Sequence, residues 1–163
     1  MFAFFLLAVA AASDGAPIPV TRAQGAFFAL SVPDADAAAT WYSDKLGLTV
    51  IMRPPEQSGT QVIVVGGGGL IIELIEQQGA IPLSQAAPAV KHDTMVLGPF
   101  KAGAIVKDWD GLVAALKMRG VPIAMGPFPR TAEQRANLII RDNNGNYIQF
   151  VESRPADLEA KAK

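Results

Sequence analysis

Short apolar runs and amphipathic stretches alternate along this chain in an order that occurs twice. Residues 26–32 (AFFALSV) and 100–106 (FKAGAIV) are short apolar runs and predict strands. Each is followed by a pair of acids, Asp34 and Asp36 or Asp108 and Asp110, either of which can accept backbone N–H bonds at a helix start. Helical patterns follow at 37–46 and 112–119, ending near Gly47 and Gly120. Second strands are predicted at 48–53 and 123–128, third strands at 61–65 and 138–141, and fourth strands at 70–75 and 147–151. Each half therefore reads βαβββ.

The halves also match residue by residue. GLIIELIE from Gly69 lies over GNYIQFVE from Gly145, with Gly, Ile and the final Glu in common and Glu73 over Gln149. Val32, Asp34 and Asp36 lie over Val106, Asp108 and Asp110. The offsets, 145 − 69 = 76 and 106 − 32 = 74, nearly agree. A unit of this size is longer than a solenoid repeat. It reads as a duplicated half-domain: modules at 26–76 and 100–153, a connection at 77–99 rich in Ala, Pro and Gln, and a charged tail at 154–163.

The amino terminus follows a different rule. MFAFFLLAVAAA (1–12) is too short to cross a bilayer as a helix, which takes about 20 residues. It has the length of a signal-peptide apolar region, and Ala10 and Ala12 give a small-x-small cleavage pattern, although no Lys or Arg precedes the run. Residues 13–25 are a Pro/Gly-rich linker. The expectation is an exported protein, periplasmic or secreted, cut after Ala12.

Composition narrows the chemistry. Half of the 163 residues are hydrophobic and 18% are charged, which excludes a mainly disordered chain. Net charge is −1, without the clustered Lys and Arg excess that nucleic-acid binding needs. With no cysteine there are no disulfides, thiolate ligands or Cys nucleophile. His92 is the single histidine, so one chain cannot build a zinc site with two His ligands.

Several motifs read as structure. The four glycines Gly66 to Gly69 lack the Lys-Ser/Thr and helix of a phosphate loop and predict a hairpin turn. Asp142 to Asn146 (DNNGN) lacks the bidentate Glu of a calcium loop, Ser153 standing at its position, and predicts a second hairpin. His92 reads as a solvated loop histidine, and Trp41 and Tyr42 as helix residues facing the core.

The repeated βαβββ pattern, SVPDADAAATWYSDKLGL, IIELIE and RDNNGNYIQFVE together resemble the vicinal oxygen chelate superfamily, which includes glyoxalase I, extradiol dioxygenases and bleomycin-resistance proteins. The resemblance covers about 25–153. It implies an α+β fold of two curled mixed sheets enclosing a cavity. It also implies four ligand positions in metal-dependent members, one on the first and one on the last strand of each half. Carried over, these are Phe27, Glu73, Lys101 and Gln149. Phe cannot ligate, and protonated Lys repels a divalent cation. Only Glu73 and Gln149 are plausible metal remnants, so no metal or other cofactor is expected.

Two functions remain open. One is a metal-free protein binding a small organic ligand through Phe27, Glu73, Lys101 and Gln149, alone or as a homodimer. The other is a lyase- or isomerase-type enzyme with Glu73 as general base and Lys101 polarising a carbonyl, or a divergent glyoxalase or dioxygenase. An ionised Glu on an apolar strand needs a cation or hydrogen bonds. Lys101 is accordingly expected to pair with Glu73 at the cavity floor.

Overall fold

The computed structural model describes residues 27–92 and 95–154. The expected signal segment (1–12), the linker (13–25) and all of the tail except Arg154 lie outside the described residues.

The first module runs β1 (Phe27–Ser31), α1 (Ala35–Leu46), β2 (Thr49–Met52), β3 (Thr60–Gly67) and β4 (Leu70–Gln77). The second runs β5 (Ala102–Val106), α3 (Trp109–Met118), β6 (Ile123–Phe128), β7 (Asn137–Arg141) and β8 (Tyr147–Glu152). A short helix, α2 (Leu83–Ala86), sits in the connection between them. Each module builds one four-stranded mixed sheet, ordered β1-β4-β3-β2 and β5-β8-β7-β6. The first strand of each module runs parallel to the last, and the other pairs are antiparallel. This is the α+β architecture of two βαβββ modules.

Capping decides where the helices begin. Asp34 accepts from the Ala37 N–H at 2.8 Å and Asp108 from the Gly111 N–H at 2.9 Å. The first acid of each pair is therefore the cap. Both helices start right after it, two residues before the predicted start in α1 and three before it in α3, because a cap overrides the count of apolar positions. At the β3–β4 hairpin Gly68 and Gly69 both take positive φ, 60° and 86°, the pair of conformations that a tight two-residue turn requires. β5 starts at Ala102, so Lys101 falls just before the strand. The parallel ladder opens with Ala102 against Ile148, and Phe100 stacks on Tyr147 instead, ring centroids 5.2 Å apart.

Strand parity separates the two faces of each sheet. One face carries the helix and the core: Ile63, Val65, Ile72 and Leu74 in the first module, Leu138, Ile140, Ile148 and Phe150 in the second. Phe28 and Leu30 of β1, with Trp41 and Leu46 of α1, pack against both clusters. Tyr42 is fully buried beside Trp41, the rings edge to face. Lys45 Nζ donates to the Arg119 carbonyl across the same seam at 2.6 Å. The modules thus join through their helix-bearing sides, and the opposite face of each sheet is left open. Among the described residues no helix is long and apolar enough to cross a membrane.

Candidate functional site

The open faces carry the residues that the sequence singles out. On the first sheet, Phe27, Ala29 and Ser31 share a face with Ile71, Glu73 and Ile75. On the second, Gly103 and Ile105 share a face with Tyr147, Gln149 and Val151, and Lys101 precedes them at the same parity. Large apolar side chains stand in solvent on both faces: Phe27 is 67% exposed, Met52 54% and Ile105 59%.

Register refines the geometry. The residue directly beside Glu73 is Ala29, and the residue directly beside Gln149 is Gly103. Lateral neighbours in a sheet lie about 4.8 Å apart, whereas Phe27 and Lys101 are a further two residues back along the chain. The equivalence of the two halves holds at this level: Ala29 matches Gly103 as Glu73 matches Gln149. Neither Ala nor Gly can ligate a metal.

The structure gives each polar group a distinct setting. Gln149 Nε2 donates to Asn137 Oδ1 at 3.1 Å, and Asn137 Nδ2 donates to the Arg135 carbonyl at 3.1 Å. Asn137 has no counterpart in the sequence argument; its place opposite Val151 on β7, diagonal to Gln149, is set by the β7–β8 register. Glu73 is half-buried, without a hydrogen-bond or ion-pair partner among the described residues. Lys101 is exposed and makes no ion pair with Glu73, contrary to expectation. Glu73 stands on β4 of the first sheet and Lys101 just before β5 of the second, and no ion pair joins them.

The second sheet has further positive character. The Arg141 guanidinium lies 4.3 Å from the Tyr147 ring centroid and donates to the Tyr147 hydroxyl, on the Gln149 face. A hollow of about 230 Å³ lies over this face, lined by Lys101, Gly103, Ile105, Gln149 and Val151 among others. His92 is exposed in the connection, as expected of a solvated loop residue.

These residues do not fit a divalent metal. One carboxylate and one amide stand on separate sheets, with Ala29, Gly103, Phe27 and Lys101 at the remaining positions. Among the described residues no group of three or more His, Cys, Asp or Glu could hold a metal ion. What the faces offer is apolar area with a few placed polar groups, the chemistry of small-molecule recognition.

No curated protein sequence matches the chain closely enough to count as a relative. Solved structures match its fold. A glyoxylase/bleomycin resistance protein/dioxygenase domain from Frankia sp. EAN1pec superposes with a TM-score of 0.62 at 19% identity, covering 82% of this chain and 93% of that one. TnmS3, an antibiotic binding protein from Streptomyces sp. CB03234, gives 0.57 at 18% identity, covering 81% and 97%. Glyoxalase I of Leishmania major gives 0.57 at 20%, covering 83% and 91%. At these identities the likeness is one of fold. With the family profile matching residues 26–150, the chain belongs to the Glyoxalase/Bleomycin resistance protein/Dioxygenase superfamily.

Proposed function

We propose that this protein binds a small organic ligand on its open sheet faces without a metal. The observation that carries the reading is the donor set: Glu73 and Gln149 remain where ligands would stand, but their lateral neighbours are Ala29 and Gly103. Apolar Phe27, Ile71 and Ile105 surround them and suit the body of an organic molecule. The antibiotic-binding relative of the same fold supports such a role. A thermal-shift screen against antibiotics and aromatic metabolites, followed by calorimetry on the hits, tests it. Glu73→Gln and Gln149→Ala are expected to weaken a hit, and the ligand is expected to be recovered unchanged. Affinity untouched by both substitutions sinks the reading.

The site is completed by a second copy. The first sheet's open face carries an unpaired acid, Glu73, and the second sheet's carries Lys101 and Arg141. Opposed across two chains, these faces are complementary in charge and cover each other's apolar area.

One observation favours catalysis as a second reading. A half-buried carboxylate with no partner on an apolar strand has the setting of a general base, and Glu73 has that setting. Multiple turnovers of a hit, abolished by Glu73→Gln, would establish it. Export is inferred from residues 1–12 alone; mass spectrometry of the native protein is expected to find Ser13 first.

A further inference from the structure

A second concavity adjoins the open faces at Ala29, Ser31 and Lys101 but extends away from Glu73 and Gln149 under the connection. It is a cleft of about 1040 Å³ along β1, walled by residues 28–33, by two stretches of the connection at 80–83 and 96–100, by the start of β5 and by the β7–β8 turn at 143–147. Phe27, Glu73 and Gln149 do not line it. Lys101 and Gly103 border both regions.

The lining has an unusual charge content. Among the described residues that line it, Lys101 is the single charged side chain and none is a carboxylate. Neutral polar groups come from Ser31, Asn143, Asn144, Asn146 and Tyr147. Against them stand Ile81, Leu83, Val96 and Leu97 of the connection, all exposed, Leu97 to 99%. Four large apolar side chains held at one wall gain by burial, at roughly 25 cal/mol per Å² of apolar area removed from water. A cationic ligand would meet Lys101 with no acid among the described lining residues to offset the repulsion. A neutral one would leave the ammonium unused.

We propose that this cleft binds an organic anion with an apolar body, its acid group at Lys101 and its body along Ile81, Leu83 and Val96. The volume reaches the upper end of the range of about 300–1,000 Å³ typical of small-molecule pockets, so a chain or ring system of drug size fits. The site is present within one chain. It shares Lys101 with the open face of the second sheet, whereas Leu83 lines this cleft alone and so separates the two sites.

The test is calorimetry on the intact protein with decanoate, decanol and decyltrimethylammonium at one ionic strength. Decanoate is expected to bind about tenfold more tightly than decanol, and the cation more weakly than either. Lys101→Met is expected to reduce decanoate to the affinity of decanol. Leu83→Asp, which sets a carboxylate where the apolar body would cover it, on a helix that belongs to neither sheet, is expected to abolish decanoate binding. Lys101 and Leu83 are both exposed, so an unchanged Tm and circular dichroism spectrum should accompany both variants. Decanol binding as tightly as decanoate, or decanoate affinity surviving either substitution, overturns the proposal. Survival in Leu83→Asp would place any binding on the open faces instead and leave the reading of those faces intact.

Discussion

The Tyr42 hydroxyl donates a 2.9 Å hydrogen bond to Oδ2 of Asp142, 100 positions later in the chain. Asp142 is buried and also accepts from the Asn144 and Asn146 N–H groups and from Asn146 Nδ2. One carboxylate thus closes the β7–β8 turn and ties it to the helix of the other module.

Tyr42→Phe keeps the ring and removes this tie. Hydrogen bonds to charged groups contribute about 1.5–3 kcal/mol, and that loss is expected in denaturant unfolding. At this chain length, each kcal/mol lowers Tm by about 2–4 °C. The variant should also change the alkaline limb. Burial first, and the Asp142 charge second, push the Tyr42 phenol well above the usual tyrosine range. A group whose pKa is raised on folding adds stability below its unfolded pKa, about 10, and loses it as pH rises further. The wild type should therefore lose stability above about pH 10 more steeply than Tyr42→Phe. Equal slopes would show that the phenol ionises freely.

Glu152 sets an acid limit. Arg130 donates to it from Nε at 2.8 Å and from a terminal nitrogen, and this pairing holds the Glu152 carboxyl below the usual glutamate range. A depressed pKa adds stability above the unfolded value, about 4.3, and loses it as pH falls through the folded one. Arg130→Met should flatten the loss of stability below about pH 4.3 and leave the alkaline limb unchanged. Urea titrations at stepped pH check it.

Gly103 is required by close approach, since a Cβ there would collide with the Gln149 carbonyl oxygen. The obstacle is the backbone of the paired strand, so no rotamer change relieves it. Gly103→Ala is expected to cost about 1–3 kcal/mol by overpacking. Ala29→Gly, the reverse change at the equivalent position of the first module, should cost less than that.

The same register bears on metals. With Ala29 and Gly103 beside Glu73 and Gln149, dialysis against a chelator should leave Tm unchanged, and added Zn²⁺ should not raise it. A Tm raised at about one equivalent of Zn²⁺ would contradict this.

Which parts of this were legible in the sequence follows from how local each signal is. Strand and helix positions, the two hairpins and the burial of Tyr42 depend on near neighbours and periodicity, and the structure agrees with them. Strand parity within the second module groups Tyr147, Gln149 and Val151 on one face, and the register agrees. Lateral register did not follow, because the pairing of Ala29 with Glu73 is fixed between strands far apart in the chain. Nor did the seam. Trp41 and Leu46 lie on one apolar stripe of α1 that satisfies its own module equally well, and nothing in their spacing says that they also cover the other. The expected Lys101–Glu73 ion pair is not formed.

Two chains can restore what one chain separates, and a mixing experiment decides it. If the first sheet of one copy faces the second sheet of another, each site takes Glu73 from one chain and Lys101 and Gln149 from its partner. A Glu73→Ala chain and a Gln149→Ala chain, each a poor binder alone, should then complement each other. Co-refolded one to one, about half of the dimers are mixed, and a mixed dimer has one intact and one doubly altered site. About a quarter of all sites should thus bind as the wild type does. If both residues serve the same site within one chain, every chain in the mixture carries one lesion and no binding returns. Ile105→Asp supplies the companion measurement. It sets a charge on the second open face at a position 59% exposed in the single chain, so folding should survive while the dimer dissociates in light scattering. A dimer that persists with this substitution would place the contact elsewhere.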